Sequence, residues 1–255
     1  MNSALEFVKT GIRGLDTILN GGIPQGWIVV VSGGPGAGKS TLALEFIYRG
    51  ALEYQEPGLI VTFNDTKSQI FKTFKGFGWD FEHLEKEGII GILDYSTSSL
   101  VFLEKVVKTG KFTLDFITAQ IMREIEEINA KRAIIDPLNT LSLLFPNDFQ
   151  IRREIHRLFG LLSSANCTTM CTLELKRPEM GTNEFLVEEF VAQGLVRLYY
   201  LERSMSRFRW MEVMKMRGVK QESKIYPFEI DGEGILIKTE SEGSDVEEGG
   251  EEKTV

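Results

Sequence analysis

The chain has 255 residues, 42% of them apolar and 26% charged, ordinary proportions for a globular protein and enough for one large domain or two small ones. Its formal charge of −8 is concentrated at one end: residues 240 to 255 hold seven acids and one lysine, so −6 sits there and the rest carries −2. That near-neutral body lacks the basic footprint of a dedicated nucleic-acid binder, and no apolar run approaches a membrane span.

In chain order, residues 5 to 26 carry Gly11, Gly14, Gly21, Gly22 and Gly26 around Gly14-Leu15-Asp16-Thr17-Ile18-Leu19. The pattern predicts a turn, a single helical turn and a tight Gly-Gly-Ile-Pro turn. No signal-peptide pattern opens the chain, so a cytoplasmic protein is expected. An apolar run from Trp27 to Val31 then leads into Gly33-Gly34-Pro35-Gly36-Ala37-Gly38-Lys39-Ser40, followed by the helical pattern Thr41 to Ile47. Strand, glycine-rich loop and helix with the spacing G-x-x-x-x-G-K-[ST] make a phosphate-binding P-loop. Gly34, Pro35, Gly36, Ala37 and Gly38 let successive N–H groups turn towards phosphate oxygens, and the helix beginning at Lys39, Ser40 and Thr41 adds its positive dipole end. Lys39 is expected on the β- and γ-phosphates and the Ser40 hydroxyl on Mg²⁺, so the ligand is ATP or ADP with magnesium.

Glu56-Pro57-Gly58 breaks the chain before the buried strand Leu59 to Phe63, with Asn64-Asp65 at its carboxyl end. A helix is predicted over Lys67 to Phe77, then a short helix and the strand Ile89 to Leu93. Residues 94 to 112 read as irregular. Leu114, Ile117, Ile121, Ile125 and Ile128 recur at spacings of three, four, four and three, one face of a helix. Ala133-Ile134-Ile135-Asp136 is an apolar strand ending in a carboxylate, the form of a Walker B aspartate that holds Mg²⁺; a turn or helix cap is the alternative use of such an Asp. Ile151, Ile155, Leu158, Phe159 and Leu162 mark a second amphipathic helix, whose Arg152, Arg153, His156 and Arg157 read as a solvated face.

Cys167 and Cys171 lie in the next apolar run. Four residues apart in a strand they would be about 13 Å apart, too far for a disulfide. A zinc site needs two more ligands, and His83 and His156 are remote in sequence, so these read as buried free thiols. Beyond the loop Lys176 to Asn183, strands follow without helices: Leu195 to Leu201, Phe208 to Met216, Ile225 to Ile230 and Ile235 to Ile237. Strand–helix alternation over residues 27 to 175 implies an α/β fold with a parallel sheet wrapped by helices, and the strand run adds antiparallel hairpins at the C-terminal edge. Residues 1–239 form one domain in this reading, with 240–255 a disordered acidic tail. In the strand ending at Arg217, strict alternation puts Arg209, Met211, Val213, Lys215 and Arg217 on one face. Lys215 and Arg217 then form a cationic tip before Gly218, either a solvated strand end or a pair reaching a neighbouring subunit's phosphates.

The whole pattern resembles the RecA superfamily and, within it, the KaiC-like ATPases. The resemblance is carried by Lys9-Thr10-Gly11-Ile12, Gly14-Leu15-Asp16, Gly21-Gly22-Ile23-Pro24, the P-loop, Glu56-Pro57-Gly58 and Phe77-Gly78-Trp79-Asp80. It continues through Ile135-Asp136, Val187-Glu188-Glu189-Phe190-Val191, Lys215-Met216-Arg217-Gly218 and Tyr226-Pro227-Phe228. It corresponds to a single KaiC-type domain and implies a hexameric ring with ATP at subunit interfaces, where Lys215, Met216 and Arg217 face a neighbour's nucleotide. The paired glutamates that such ATPases place after the second strand are here Asn64-Asp65. Asparagine orients water but takes no proton, leaving Asp65 as the available base, so the resemblance implies tight binding with slow hydrolysis. The relatives' Gly-Thr-Ser-His is here Gly218-Val219-Lys220-Gln221. An oligomeric nucleotide-controlled switch read by a protein partner is the leading expectation. A recombination-type DNA-binding ATPase, using loops at Pro146 to Gln150 and Lys176 to Asn183, and a non-hydrolysing ATP-locked scaffold are the alternatives.

Overall fold

The apolar runs become buried strands and the amphipathic repeats become helices on both their faces. A computed structural model describes residues 5–96, 114–176, 180, 185–203, 206–222 and 224–239. The chain begins with β1 (Phe7–Val8), α1 (Leu15–Ile18) and β2 (Ile23–Pro24), then β3 (Ile28–Gly33) and the P-loop helix α2 (Lys39–Glu53). There follow β4 (Gly58–Thr62), α3 (Lys67–Phe74), α4 (Phe81–Lys86), β5 (Ile90–Asp94) and α5 (Leu114–Glu127). Next are β6 (Arg132–Asp136), α6 (Asn139–Ser142), α7 (Asp148–Ser164), β7 (Thr168–Glu174) and α8 (Val187–Val191). The last four strands are β8 (Gly194–Arg203), β9 (Ser206–Met216), β10 (Ile225–Asp231) and β11 (Gly234–Ile237). Residues 97–113 and the acidic tail from 240 onward lie outside the described residues, as does most of the stretch 176–183.

One sheet of nine strands runs β11-β10-β9-β8-β3-β7-β6-β4-β5. The pairings from β8 through β5 are parallel, while β8–β9, β9–β10 and β10–β11 are antiparallel. This is the expected α/β architecture, with β8 still parallel to β3 and the hairpins beginning only beyond it. Because the central strands are parallel, β3, β4, β6 and β7 all end at one rim, where ligands sit in open α/β sheets.

Each face of the sheet has its own core. On one side α2 buries Leu42, Phe46 and Ile47 with Phe74, Trp79 and Phe81; on the other, Ile117, Ile121 and Ile125 of α5 meet Ile155, Leu158, Phe159 and Leu162 of α7. Each such side chain contributes about 1.5–3 kcal/mol by leaving water. Both cysteines are buried in this second core, where burial pushes the Cys167 thiol up to about 12 and Cys171 higher still. They are the inert free thiols expected. Of the stretch Pro146 to Gln150, expected as a loop, Pro146 and Asn147 precede the helix while Asp148 to Gln150 are the first turn of α7. Asn147 Oδ1 accepts the Gln150 N–H at 3.0 Å, an N-cap that begins the helix at Asp148.

Two buried polar devices orient the P-loop helix. Arg132, fully buried at the start of β6, lies over the Phe46 ring, donates to the Phe46 carbonyl at 3.1 Å and pairs with Glu56 at 2.6 Å. Glu45, fully buried on α2, accepts the Ile235 N–H at 2.8 Å. Gly234 beside it has φ 123°, and a Cβ there would lie 2.5 Å from the Glu45 carboxylate. Arg49 donates to the Glu233 carbonyl, latching the β10–β11 turn to the back of α2, while Arg13, ahead of α1, donates to Asp231.

Candidate nucleotide site

The P-loop follows directly from β3, whose six residues are all buried. Gly36 and Gly38 have φ of 74° and 101°, a left-handed backbone that turns the loop back into α2 and that side chains resist. Neighbours crowd it: a Cβ on Gly38 would meet Ile230 at 3.0 Å, and one on Gly36 would meet the Tyr200 ring at 3.4 Å. Arg209 lies over Tyr200 and donates to the Gly36 carbonyl at 3.2 Å. Thus β8, β9 and β10 support the loop from the side, which no local pattern in the sequence announced.

Lys39 is buried and donates to the Gly34 carbonyl at 2.9 Å. Burial pulls its ammonium below the ordinary lysine range, and the charges of Glu174 and Asp136 oppose that pull. An ammonium held by a carbonyl of its own loop is available to a phosphate that offers a stronger, charged acceptor. Asp136, at the end of β6, accepts from the Thr172 hydroxyl and from Ser40. Its carboxyl is raised above the usual range chiefly by burial. The two hydroxyl donors oppose that rise, the charge of Asp65 adds to it and Lys39 opposes it.

A half-buried carboxylate next to a serine hydroxyl, with a second carboxylate near, suits a hard divalent cation with oxygen ligands. Among the described residues no group of three His, Cys, Asp or Glu side chains could enclose a metal alone. Ser40 and Asp136 therefore fit a cation shared with phosphate oxygens and water. Asn64 and Asp65 are exposed at the carboxyl end of β4, with Asp65 close enough to act on Asp136. The same rim carries two residues that sequence reasoning missed, Thr172 and Glu174 on β7. Register places Glu174 opposite Gly33, and only strand pairing could have shown it.

Lys215 and Arg217 are not at this rim. Lys215 pairs with Leu195 and Gly194 with Val29, while the Arg217 N–H goes to Gln193, whose own N–H goes to Ile28. Arg217 is thus level with the start of β3, five residues and about 17 Å along the strand from Gly33. The expected shared face also fails. Val213 pairs with Val196 and Lys215 with Leu195, so Met214 is an extra residue in a β-bulge and the alternation flips. Met211, Val213 and Met216 face one core, with Met216 buried, while Lys215 turns to the other side. There it donates to the Glu189 carbonyl at 2.8 Å and the Phe190 carbonyl at 3.5 Å, at the end of α8. Burial and then Arg217 pull the Lys215 ammonium below the ordinary range, against Glu189. Arg217 is exposed.

The family model described as "ATPase: KaiC" matches residues 8–242, nearly the whole chain. The chain belongs to the KaiC family of ATPases. A UPF0273 protein of Methanocaldococcus jannaschii is 36% identical over 236 residues, covering 91% of this chain and 96% of its own length. The circadian clock oscillator protein KaiC of Parathermosynechococcus lividus is 36% identical over 229 residues, covering 90% of this chain. This KaiC-type chain corresponds to 42% of that relative, less than half of it. The crystal structure of a KaiC-like protein from Pyrococcus horikoshii superposes with a TM-score of 0.79 at 35% identity, over 92% of this chain and all of the other. Membership of a KaiC-type ATPase family implies nucleotide binding. Among the described residues no helix is long and apolar enough to cross a membrane.

Proposed function

We propose that the protein is a cytoplasmic, oligomeric KaiC-type ATPase. ATP and Mg²⁺ are held between the P-loop of one subunit and Lys215 and Arg217 of the next, in a ring of six. Gly34 to Thr41 hold the phosphates, Ser40 and Asp136 take the cation, and Asp65 receives the proton of the water that attacks the γ-phosphate, releasing ADP and phosphate. With Asn64 beside it in place of a second carboxylate, turnover is slow and the bound nucleotide acts as a switch that a protein partner reads. Relatives named as circadian clock oscillators agree with a regulatory role. The observation that carries this reading is the position of Lys215 and Arg217, on the rim opposite their own P-loop and about 17 Å from it. A Lys-x-Arg pair so placed serves no nucleotide of its own subunit. Leu186, the N-cap of α8, and Phe190 on it add exposed apolar surface beside the element that holds Lys215.

Size exclusion with light scattering, with and without Mg-ATP, on wild type and Lys215→Ala tests it. ATP-dependent assembly, or nucleotide affinity, that drops in the variant supports a shared site; indifference to both changes refutes it. One observation favours a second reading, single-stranded DNA binding. Phe149 is 75% exposed at the start of α7 and shares a helix face with the exposed Arg152 and Arg153. Micromolar binding with steep salt dependence in fluorescence anisotropy would establish it.

A further inference from the structure

We infer that Ser142 and Glu188 are positioning residues that connect the Asp136 loop of one site to the Lys215 that the same subunit offers to its neighbour. This rests on the reading that Lys215 acts across the subunit interface.

The connection is continuous in covalent and hydrogen-bonded contacts. Past Asp136 the chain is stitched to β7: the Leu138 N–H goes to the Thr172 carbonyl at 2.8 Å. Asn139 pairs reciprocally with Glu174, its Nδ2 donating to the carbonyl and its Oδ1 accepting the N–H, each at 3.1 Å. Thr172 is also the residue whose hydroxyl donates to Asp136. Helix α6 starts at Asn139, and at its other end the Ser142 hydroxyl donates to the buried Glu188 carboxylate on α8.

Helix α8 lies in the stretch of chain between Glu174, level with Gly33 at the nucleotide rim, and Gly194, level with Val29 towards the opposite one. Its second acid, Glu189, is locked. One oxygen accepts from Arg197 at 2.8 Å with both side chains sealed from water, and the other accepts the Leu186 N–H at 2.8 Å. Arg197 in turn lies over the Phe185 ring. The carbonyl of that same Glu189 is the closest acceptor of Lys215. A five-residue helix is therefore held in its first turn by Ser142 and seats Lys215 on its Glu189 and Phe190 carbonyls. Displacement of the Asp136 loop when nucleotide is bound or released moves Ser142, and the seat of Lys215 moves with it. The bulge at Met214 makes this possible, because it turns Lys215 onto the α8 side of the sheet.

Mixed assemblies test the connection, with ATP turnover and affinity for a fluorescent ATP analogue as readouts. Lys39→Ala disables a subunit's P-loop but leaves its Lys215, whereas Lys215→Ala does the reverse. Mixing the two should restore activity at interfaces that combine the intact halves. Ser142→Ala alone should lower turnover roughly 3- to 30-fold. Mixing it with Lys39→Ala should restore it as fully as Lys215→Ala is restored, because the Lys39→Ala subunit brings an undisturbed Lys215. Glu188→Gln, which keeps an acceptor for the Ser142 hydroxyl, should retain more activity than Glu188→Ala at equal thermal midpoint. The inference is overturned if Ser142→Ala is unchanged, or if Lys39→Ala rescues Lys215→Ala but not Ser142→Ala. In the latter case Ser142 serves only its own Asp136. If even the Lys39→Ala and Lys215→Ala pair fails to complement, the shared-site reading falls first and takes the inference with it.

Discussion

Glu45 makes the stability of this protein depend on pH, and the sign follows from its burial. Its side chain is sealed on α2 between the Ile235 N–H at 2.8 Å and Arg49 at 3.4 Å. Burial raises its carboxyl from 4.5 to about 7, more than that backbone donor, Arg49 and Arg13 pull it back. Because the folded value is above the unfolded one, protonation favours the folded chain. The associated stability is fully present below about 4.5 and is lost as the pH rises through 7. At ~1.4 kcal/mol per pH unit the whole window is worth about 3.5 kcal/mol, of which about 2.5 kcal/mol falls between pH 5 and pH 8. For a domain of this size that is about 5–10 °C in the thermal midpoint. Circular-dichroism melts of wild type and Glu45→Gln across this range measure it. The amide keeps an acceptor for Ile235 but cannot titrate, and His83 and His156 are common to both proteins, so the difference in slope isolates Glu45. Parallel pH dependences in the two proteins would show that Glu45 is charged throughout and that its ion pair, not burial, governs it.

Three further outcomes are expected. Lys39→Ala removes a charged hydrogen bond to phosphate, so ATP affinity should fall by about 1.5–3 kcal/mol, or ten- to a hundredfold, by isothermal calorimetry; unchanged affinity would place the phosphates elsewhere. Asp65→Ala should lower ATP hydrolysis about 10²- to 10⁴-fold in a phosphate-release assay while leaving ATP binding intact. Turnover in wild type as fast as in relatives with paired glutamates, lost in Asp65→Ala, would show that one aspartate suffices and that Asn64 costs nothing. Gly234→Ala should destabilise the protein by about 1–3 kcal/mol in urea, because its φ is 123° and its Cβ would press on the Glu45 carboxylate. Wild-type stability there would mean that the β10–β11 latch shifts without cost.

Much of the fold was legible because its signals are local. The stripe Leu114, Ile117, Ile121 and Ile125 predicts a helix with one buried face, and these four residues are buried in the core beneath α5. The strand ends at Asn64 and Asp136 were legible for the same reason, an apolar run stopping at a polar residue. The start of α7 was not, because Pro146-Asn147-Asp148 looks like a loop until the Asn147 side chain is seen to cap the helix. Strict alternation failed at Lys215 because a bulge inserts one residue, Met214, with no mark in the sequence. Thr172 and Glu174 were missed because their importance comes from lying beside Asp136 and Gly33 on neighbouring strands, 36 or more residues away in sequence.

By itself the sequence determined the glycine-rich loop between strand and helix, the aspartate at the end of a neighbouring apolar strand and the alternating architecture that brings strand ends to one rim. Each depends on residue type and spacing within a few positions, and backbone geometry converts that spacing directly into structure. The tertiary structure alone decided that Tyr200, Arg209 and Ile230 brace the P-loop and that Glu45 latches the last hairpin to its helix. It also decided that Lys215 sits on the far rim, seated on a helix linked back to Asp136. Those are properties of register and of contacts between distant segments, and neither is encoded in any single stretch of the chain.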